Sequence, residues 1–135
     1  MIERKIEKRI REFYENDKKA LLITGARQVG KTYIIRDFGL SAFESFIEIN
    51  FLENREARTL FENAKGSADI LLRISAIADK PLIPGKTLIF FDEVQECKEL
   101  VTAVKFLVDE GSYRYILSGS LLGVDLKDIR SAPVG

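Results

Sequence analysis

Histidine is absent from this 135-residue chain. That gap removes imidazole acid/base chemistry, His–zinc sites and Ser–His or Cys–His nucleophiles, so any chemistry must rest on Lys, Asp, Glu, Ser or Thr. Cysteine is nearly absent as well. Cys97 stands alone, which excludes an internal disulfide and fits a reducing compartment; its plainest reading is a small buried apolar residue. Neither sign of charge is in excess, with 21 basic against 21 acidic side chains. No global field therefore draws the protein to nucleic acid, and charge does not indicate such a partner. No apolar run approaches the roughly 18 residues of a membrane span, and the N-terminus "MIERKIEKRI" lacks the apolar segment of a signal peptide. A cytoplasmic protein with no membrane partner is expected.

What is present is the composition of a globular protein, 46% hydrophobic and 31% charged, in a chain long enough for one domain with a real core. No internal repeat, low-complexity tract or linker divides it, so residues 1–135 are read as one domain. Ile2, Ile6, Ile10 and Phe13 recur at spacings of four, four and three, which predicts an amphipathic helix within residues 1–17 packed on a core over 20–135. Arg4, Lys5, Lys8, Arg9 and Arg11 of that helix interleave with Glu3, Glu7 and Glu12 at salt-bridge spacing, as a solvated face does.

Past residue 20, short apolar runs alternate with helical patterns. "ALLIT" (20–24), "FIEINF" (46–51), "TLIFFDEVQ" (87–95) and "RYILSGS" (114–120) read as strands. Helices are predicted over 53–66, with Leu60 and Phe61 inward and Gly66 as the stop, over about 68–79, and over 99–111. Strands alternating with helices argue for a parallel sheet covered on both faces.

Between the first strand and the next helix lies "GARQVGKT", which matches G-x-x-x-x-G-K-[ST] in full and in the structural context that motif requires. Gly25 and Gly30 let the backbone wrap closely around phosphate oxygens. Successive N–H groups from about Gln28 through Val29 to Tyr33 are expected to point inward at the positive end of the helix, with Ala26 and Arg27 counted among the cofactor-binding residues of the same loop. Lys31 would reach the β- and γ-phosphates as a point charge, and the Thr32 hydroxyl would be a Mg²⁺ ligand.

A nucleotide site also needs a metal-holding acid. In "LIFFDEVQ" four apolar residues end at Asp92, and ligands of parallel α/β sheets bind at the carboxyl ends of the strands, so Asp92 is the candidate to hold Mg²⁺ through water. Glu93 follows it, placed to activate a water against the γ-phosphate. In "ILSGS" a strand ends in Ser118 and Ser120, either of which could orient that water or sense the γ-phosphate; spacing does not choose between them.

Taken together, "ITGARQVGKT", "INF", "LIFFDEVQ" and "ILSGS", in this order and at these separations, resemble the AAA-type ATPase domain of a widespread group of prokaryotic ATP-binding proteins. In that group the module precedes a helical lid and a C-terminal domain sometimes described as nuclease-like. The resemblance implies a P-loop NTPase three-layer αβα sandwich with sheet order 5-1-4-3-2. It also implies ATP and Mg²⁺ as ligands, Lys31 and Thr32 at the phosphates and metal, Asp92 at the metal, Glu93 as catalytic base, and Ser118 or Ser120 as sensor. The family's chain continues after "SAPVG" where this one stops at Gly135. The last core strand, the lid and an arginine finger are therefore expected to be missing, with Arg130 the only arginine near the end. On that expectation strand one is an exposed edge, and the protein is marginally stable or self-associates. The function expected is Mg-dependent ATP binding and slow hydrolysis that drives or regulates a partner module, with self-assembly and an unidentified protein partner in view. The alternative is a nucleotide-dependent binding module without significant hydrolysis. GTP switching and small-molecule phosphotransfer are weakened, because no N-K-x-D guanine-reading element occurs and small P-loop kinases seldom need an acid directly after the strand-ending Asp.

Overall fold

Each apolar run of four to six residues is too short for a helix that could stand alone, and such runs become strands when helices are available to cover them. In the computed structural model, which describes residues 2–16, 20–25, 29–120 and 129–134, the runs form β1 (Ala20–Gly25), β2 (Ser45–Asn50), β3 (Thr87–Asp92) and β4 (Arg114–Ser118). The helices are α1 (Ile2–Asn16), α2 (Val29–Ala42), α3 (Ser67–Ile77) and α4 (Leu100–Glu110). A fifth strand, β5 (Ile129–Val134), follows. All pairings are parallel, and the order across the sheet is β2-β3-β4-β1-β5.

The last strand is thus present, against expectation, and β1 is paired on both sides instead of forming an edge. "IRSAPV" hid itself because it lacks an apolar alternation and carries Pro133, which argues against a central strand. At a sheet edge the objection disappears, since the proline's missing N–H can lie on the unpaired side. Pro133 stands opposite Thr24 in that edge strand. The self-association argued from an open β1 edge loses its basis.

Residues alternate across the strands, so the sheet has two separate cores. On one face Leu22, Ile47, Ile49, Ile89, Phe91, Tyr115 and Leu117 pack against Ile70 and Ile74 of α3 and Leu100, Val104 and Leu107 of α4. Phe91 stacks between Phe51 at 5.8 Å and Tyr115 at 6.2 Å. On the other face Leu21, Ile23, Phe46, Leu88, Phe90 and Ile116 meet Ile35 of α2 and Ile6, Ile10 and Phe13 of α1, so the apolar stripe of the first helix is buried as its spacing predicts. Arg114 at the head of β4 donates to the Phe13 and Tyr14 carbonyls at 3.1 and 2.7 Å, capping the C-terminal end of α1 from outside the helix. Gly39 brings α2 against β2: a Cβ there would overlap the Phe46 ring.

One predicted helix does not form. Residues 53–66 are turns around a single 3₁₀ turn, Glu56–Thr59. Side chains there satisfy the backbone in place of helical bonds. Asn50 Oδ1 accepts the N–H groups of Leu52 and Glu53, Asn54 Oδ1 accepts that of Ala57, and the Arg58 guanidinium donates to the Phe51 and Leu52 carbonyls. Asn63 takes a left-handed backbone, φ 56°. Phe61 is still buried and Leu60 still packs on the core.

Candidate functional site

β1 ends at Gly25 and α2 begins at Val29, so the glycine-rich motif spans the strand's end and the helix's start. Ala26, Arg27 and Gln28 lie outside the described residues. Gly30, Lys31 and Thr32 occupy the first turn of α2, where N–H groups have no intrahelical partner and the helix dipole is positive. Gly30 and Thr32 are half-buried. Lys31 is only 6% exposed, whereas Tyr33 is 71% exposed and turned to solvent. Among the described residues no carboxylate lies within ion-pairing distance of the Lys31 ammonium. An anionic ligand at the start of the helix would supply a counter-ion.

Strand register then assembles the acids and the hydroxyl. Asn50, Asp92, Ser118 and Ile23 are successive partners across β2, β3, β4 and β1. Neighbouring positions in such a row are about 4.8 Å apart and share a face of the sheet. That face is the one α2 covers, because the positions two residues earlier are Phe90 and Ile116, which belong to the α1/α2 core. The buried Asp92 carboxyl and the buried Ser118 hydroxyl are therefore neighbours at the carboxyl ends of the central strands, on the side of the sheet that carries Lys31. Ser118 Oγ has no hydrogen-bond partner among the described residues.

Burial pushes the Asp92 carboxyl above its ordinary value, with Glu93 and Glu48 adding to the rise; a hydrogen bond from the Glu93 N–H and the nearby Lys31 charge oppose it. The Glu93 N–H donates to Asp92 Oδ1 at 2.8 Å, which holds the carboxylate in place. Glu93 itself sits in left-handed backbone, φ 54° and ψ 50°, a conformation non-glycine residues adopt uncommonly and often at functional sites. The 3₁₀ turn Val94–Glu96 follows. Ser120 lies two residues beyond Ser118 and is exposed; its backbone N–H, not its hydroxyl, is engaged, donating to Gln95 Oε1 at 3.1 Å.

Lys31, Asp92 and Ser118 are thus brought together and buried, while the Tyr33 side chain stands apart and Ser120 sits on the exposed exit of β4. Gln95 was not singled out by sequence reasoning. Its signal was the glutamine two residues after the second acid, opposite a glycine that separates two serines, but neither feature points to the other until the strands are paired. Outside the site, an exposed Arg36 of α2 makes a bidentate bond to Glu48 of β2 at 2.6 and 2.7 Å, pinning the helix to the sheet.

A family model described as an AAA domain matches residues 17–135. The chain belongs to the AAA domain family. Among solved structures, that of PCH-2 from C. elegans is similar, with a TM-score of 0.50 and 14% sequence identity over 98% of this chain. This chain spans 39% of the length of that one, and at such low identity the likeness is one of fold. No curated protein sequence matches. As an AAA domain the chain is a nucleotide-binding module of the ATPase type, on a parallel sheet of the P-loop kind. Among the described residues no helix is long and apolar enough to cross a membrane.

Proposed function

We propose that this AAA domain is a single ATP-binding core that binds Mg·ATP at the Gly25–Thr32 loop and hydrolyses it slowly, its nucleotide state driving or regulating a partner module. The observation that carries this reading is the buried Lys31 in the first turn of α2, on the side of the sheet where Asp92 and Ser118 end side by side. The triphosphate is the counter-ion Lys31 lacks, and helix N–H groups complete an anion site.

The residues present fit a magnesium ion. That ion is commonly held by one or two carboxylates together with waters and substrate phosphates, and a buried carboxyl whose ionisation is disfavoured by desolvation gains from a cation beside it. Asp92, through water, and the Thr32 hydroxyl would hold it. When bound, the ion neutralises charge on the phosphates.

In the reaction Glu93 takes a proton from water while the water oxygen attacks the γ-phosphorus. The bond from that phosphorus to the bridging oxygen breaks, and ADP and phosphate leave. Lys31 offsets charge on the β- and γ-phosphates throughout. Ser118, buried beside Asp92, is the hydroxyl we assign to orient the water or read the γ-phosphate, with Ser120 the second candidate. Assembly with further copies, common among AAA domains, an unidentified protein partner and a cytoplasmic setting belong to the same reading.

The test is phosphate release from ATP by wild type and Glu93→Gln, alongside titration with a fluorescent nucleotide. Glu93→Gln is expected to abolish release and keep binding. Binding without release in wild type would turn the reading into that of a nucleotide-dependent binding module. Competition should favour ATP over GTP, and a clear GTP preference would overturn the base assignment.

A further inference from the structure

We propose that Gln95 is a positioning residue for Glu93, tying that carboxylate to the exit of β4 so that its placement depends on the Ser118–Ser120 segment. This rests on the hydrolytic role proposed for Glu93.

The Gln95 amide makes two bonds of opposite sense. Its Oε1 accepts the Ser120 N–H at 3.1 Å, and its Nε2 donates to Glu93 Oε1 at 3.2 Å. A backbone N–H demands an acceptor and a carboxylate demands a donor, so the two partners fix which way the amide points. Glutamate at this position could accept from Ser120 but could not donate to Glu93. Asparagine would be one methylene short of spanning both.

The exit of β4 is shaped to admit this side chain. Gly119 has φ 140°, and a Cβ there would run into the Gln95 amide oxygen and come within 2.9 Å of the Val94 nitrogen. Its N–H still reaches the Ile23 carbonyl at 3.4 Å, continuing the ladder to β1. On the other side, the left-handed turn at Glu93 and the bond from the Glu96 N–H to the Glu93 carbonyl, 3.1 Å, curl the chain so that residue 95 returns over residue 93. Asp92 thus holds the Glu93 main chain, Gln95 holds its side chain, and Ser120 holds Gln95. A ligand that shifts the Ser118–Ser120 segment shifts Glu93 with it, which links occupation of the γ-phosphate position to the placement of the base.

Gln95 is exposed, so its variants should fold; melting curves check this. Gln95→Ala and Gln95→Glu are compared with wild type and Glu93→Gln for kcat of phosphate release and for affinity toward a fluorescent ATP analogue. Both Gln95 variants are expected to lose about tenfold or more in kcat, the effect of one lost bond to a charged group, with affinity within about twofold of wild type. The pairing of the two variants is the discriminating arm. If Gln95 served only to tether Ser120, Gln95→Glu would keep that acceptor and keep the rate. A wild-type rate in Gln95→Glu, or a fall in affinity that matches the fall in rate, overturns the inference while Glu93→Gln stays inactive. If Glu93→Gln retains wild-type turnover, or wild type shows none, the hydrolytic reading fails first and the inference with it.

Discussion

Lys31 acts electrostatically on Asp92 across the space between α2 and β3, yet the two make no ion pair within 4.0 Å. Both residues are largely buried on the same side of the sheet, and the space between them is the position proposed for a phosphate and a hydrated cation. Lys31→Ala should therefore weaken nucleotide binding by about tenfold or more while leaving the ligand-free protein as stable as wild type, because no ion pair among the described residues is lost with the ammonium. Thermal melts with and without Mg·ATP separate the two effects. At ATP near 100 times its dissociation constant, wild type gains about 2.7 kcal/mol, and the variant at the same concentration should lose most of that shift. Equal affinity of both proteins would remove the loop from the site.

Gly39→Ala should destabilise. In most helix interiors this change gains about 0.5–1 kcal/mol, but here the new methyl would occupy the space of the Phe46 ring, and overpacking typically costs about 1–3 kcal/mol. Urea denaturation of Gly39→Ala, Phe46→Leu and the double variant tests it. The double variant should be more stable than the sum of the two singles predicts, since the smaller side chain makes room for the methyl.

Tyr115→Phe should stabilise the protein by about 1 kcal/mol. The hydroxyl of this 1% exposed side chain has no hydrogen-bond partner among the described residues, and an unmatched buried polar group is a liability that the phenyl ring lacks. The stacking on Phe91 is retained. A denaturant midpoint that falls instead would mean the hydroxyl is satisfied.

Alkaline pH should weaken the fold through buried acids. Burial pushes the Cys97 thiol from 9.0 up to about 11 and raises Tyr115 and Tyr113 as well. A folded value above the unfolded one means the contribution is whole below about pH 9 and is lost as pH climbs through about 11 for the thiol. Stability measured from pH 8 to 11 should decline, and Cys97→Ala should flatten part of the slope. A thiol reagent at pH 8 should label Cys97 only after denaturation.

The strands at residues 20–25, 45–50, 87–92 and 114–118 were legible because each is an apolar block or an apolar alternation bounded by turn chemistry. Two elements were not. Residues 53–66 carry a helical pattern in Leu60 and Phe61, but Asn50 and Asn54 accept the Glu53 and Ala57 N–H groups and Arg58 reaches back to the Phe51 and Leu52 carbonyls, and which competitor wins is decided by tertiary placement. β5 has no pattern of its own; it is a strand because β1 offers it an edge. At the site, residue types foretold candidates but not their arrangement. That Ser118 lies buried beside Asp92 follows from the register of β3 against β4, and the bond of Gln95 to Ser120 spans 25 residues of sequence.

That register makes strand length the least negotiable property of the molecule. Deleting or inserting one residue within β4 would exchange Ser118 for Leu117 or Gly119 beside Asp92 and turn the alternating set of side chains through to the opposite core. Substitutions in the α3/α4 face leave the ligand side chemically untouched, so the protein should tolerate drift in the identity of Ile47, Ile89 or Leu117 far better than any change in their count.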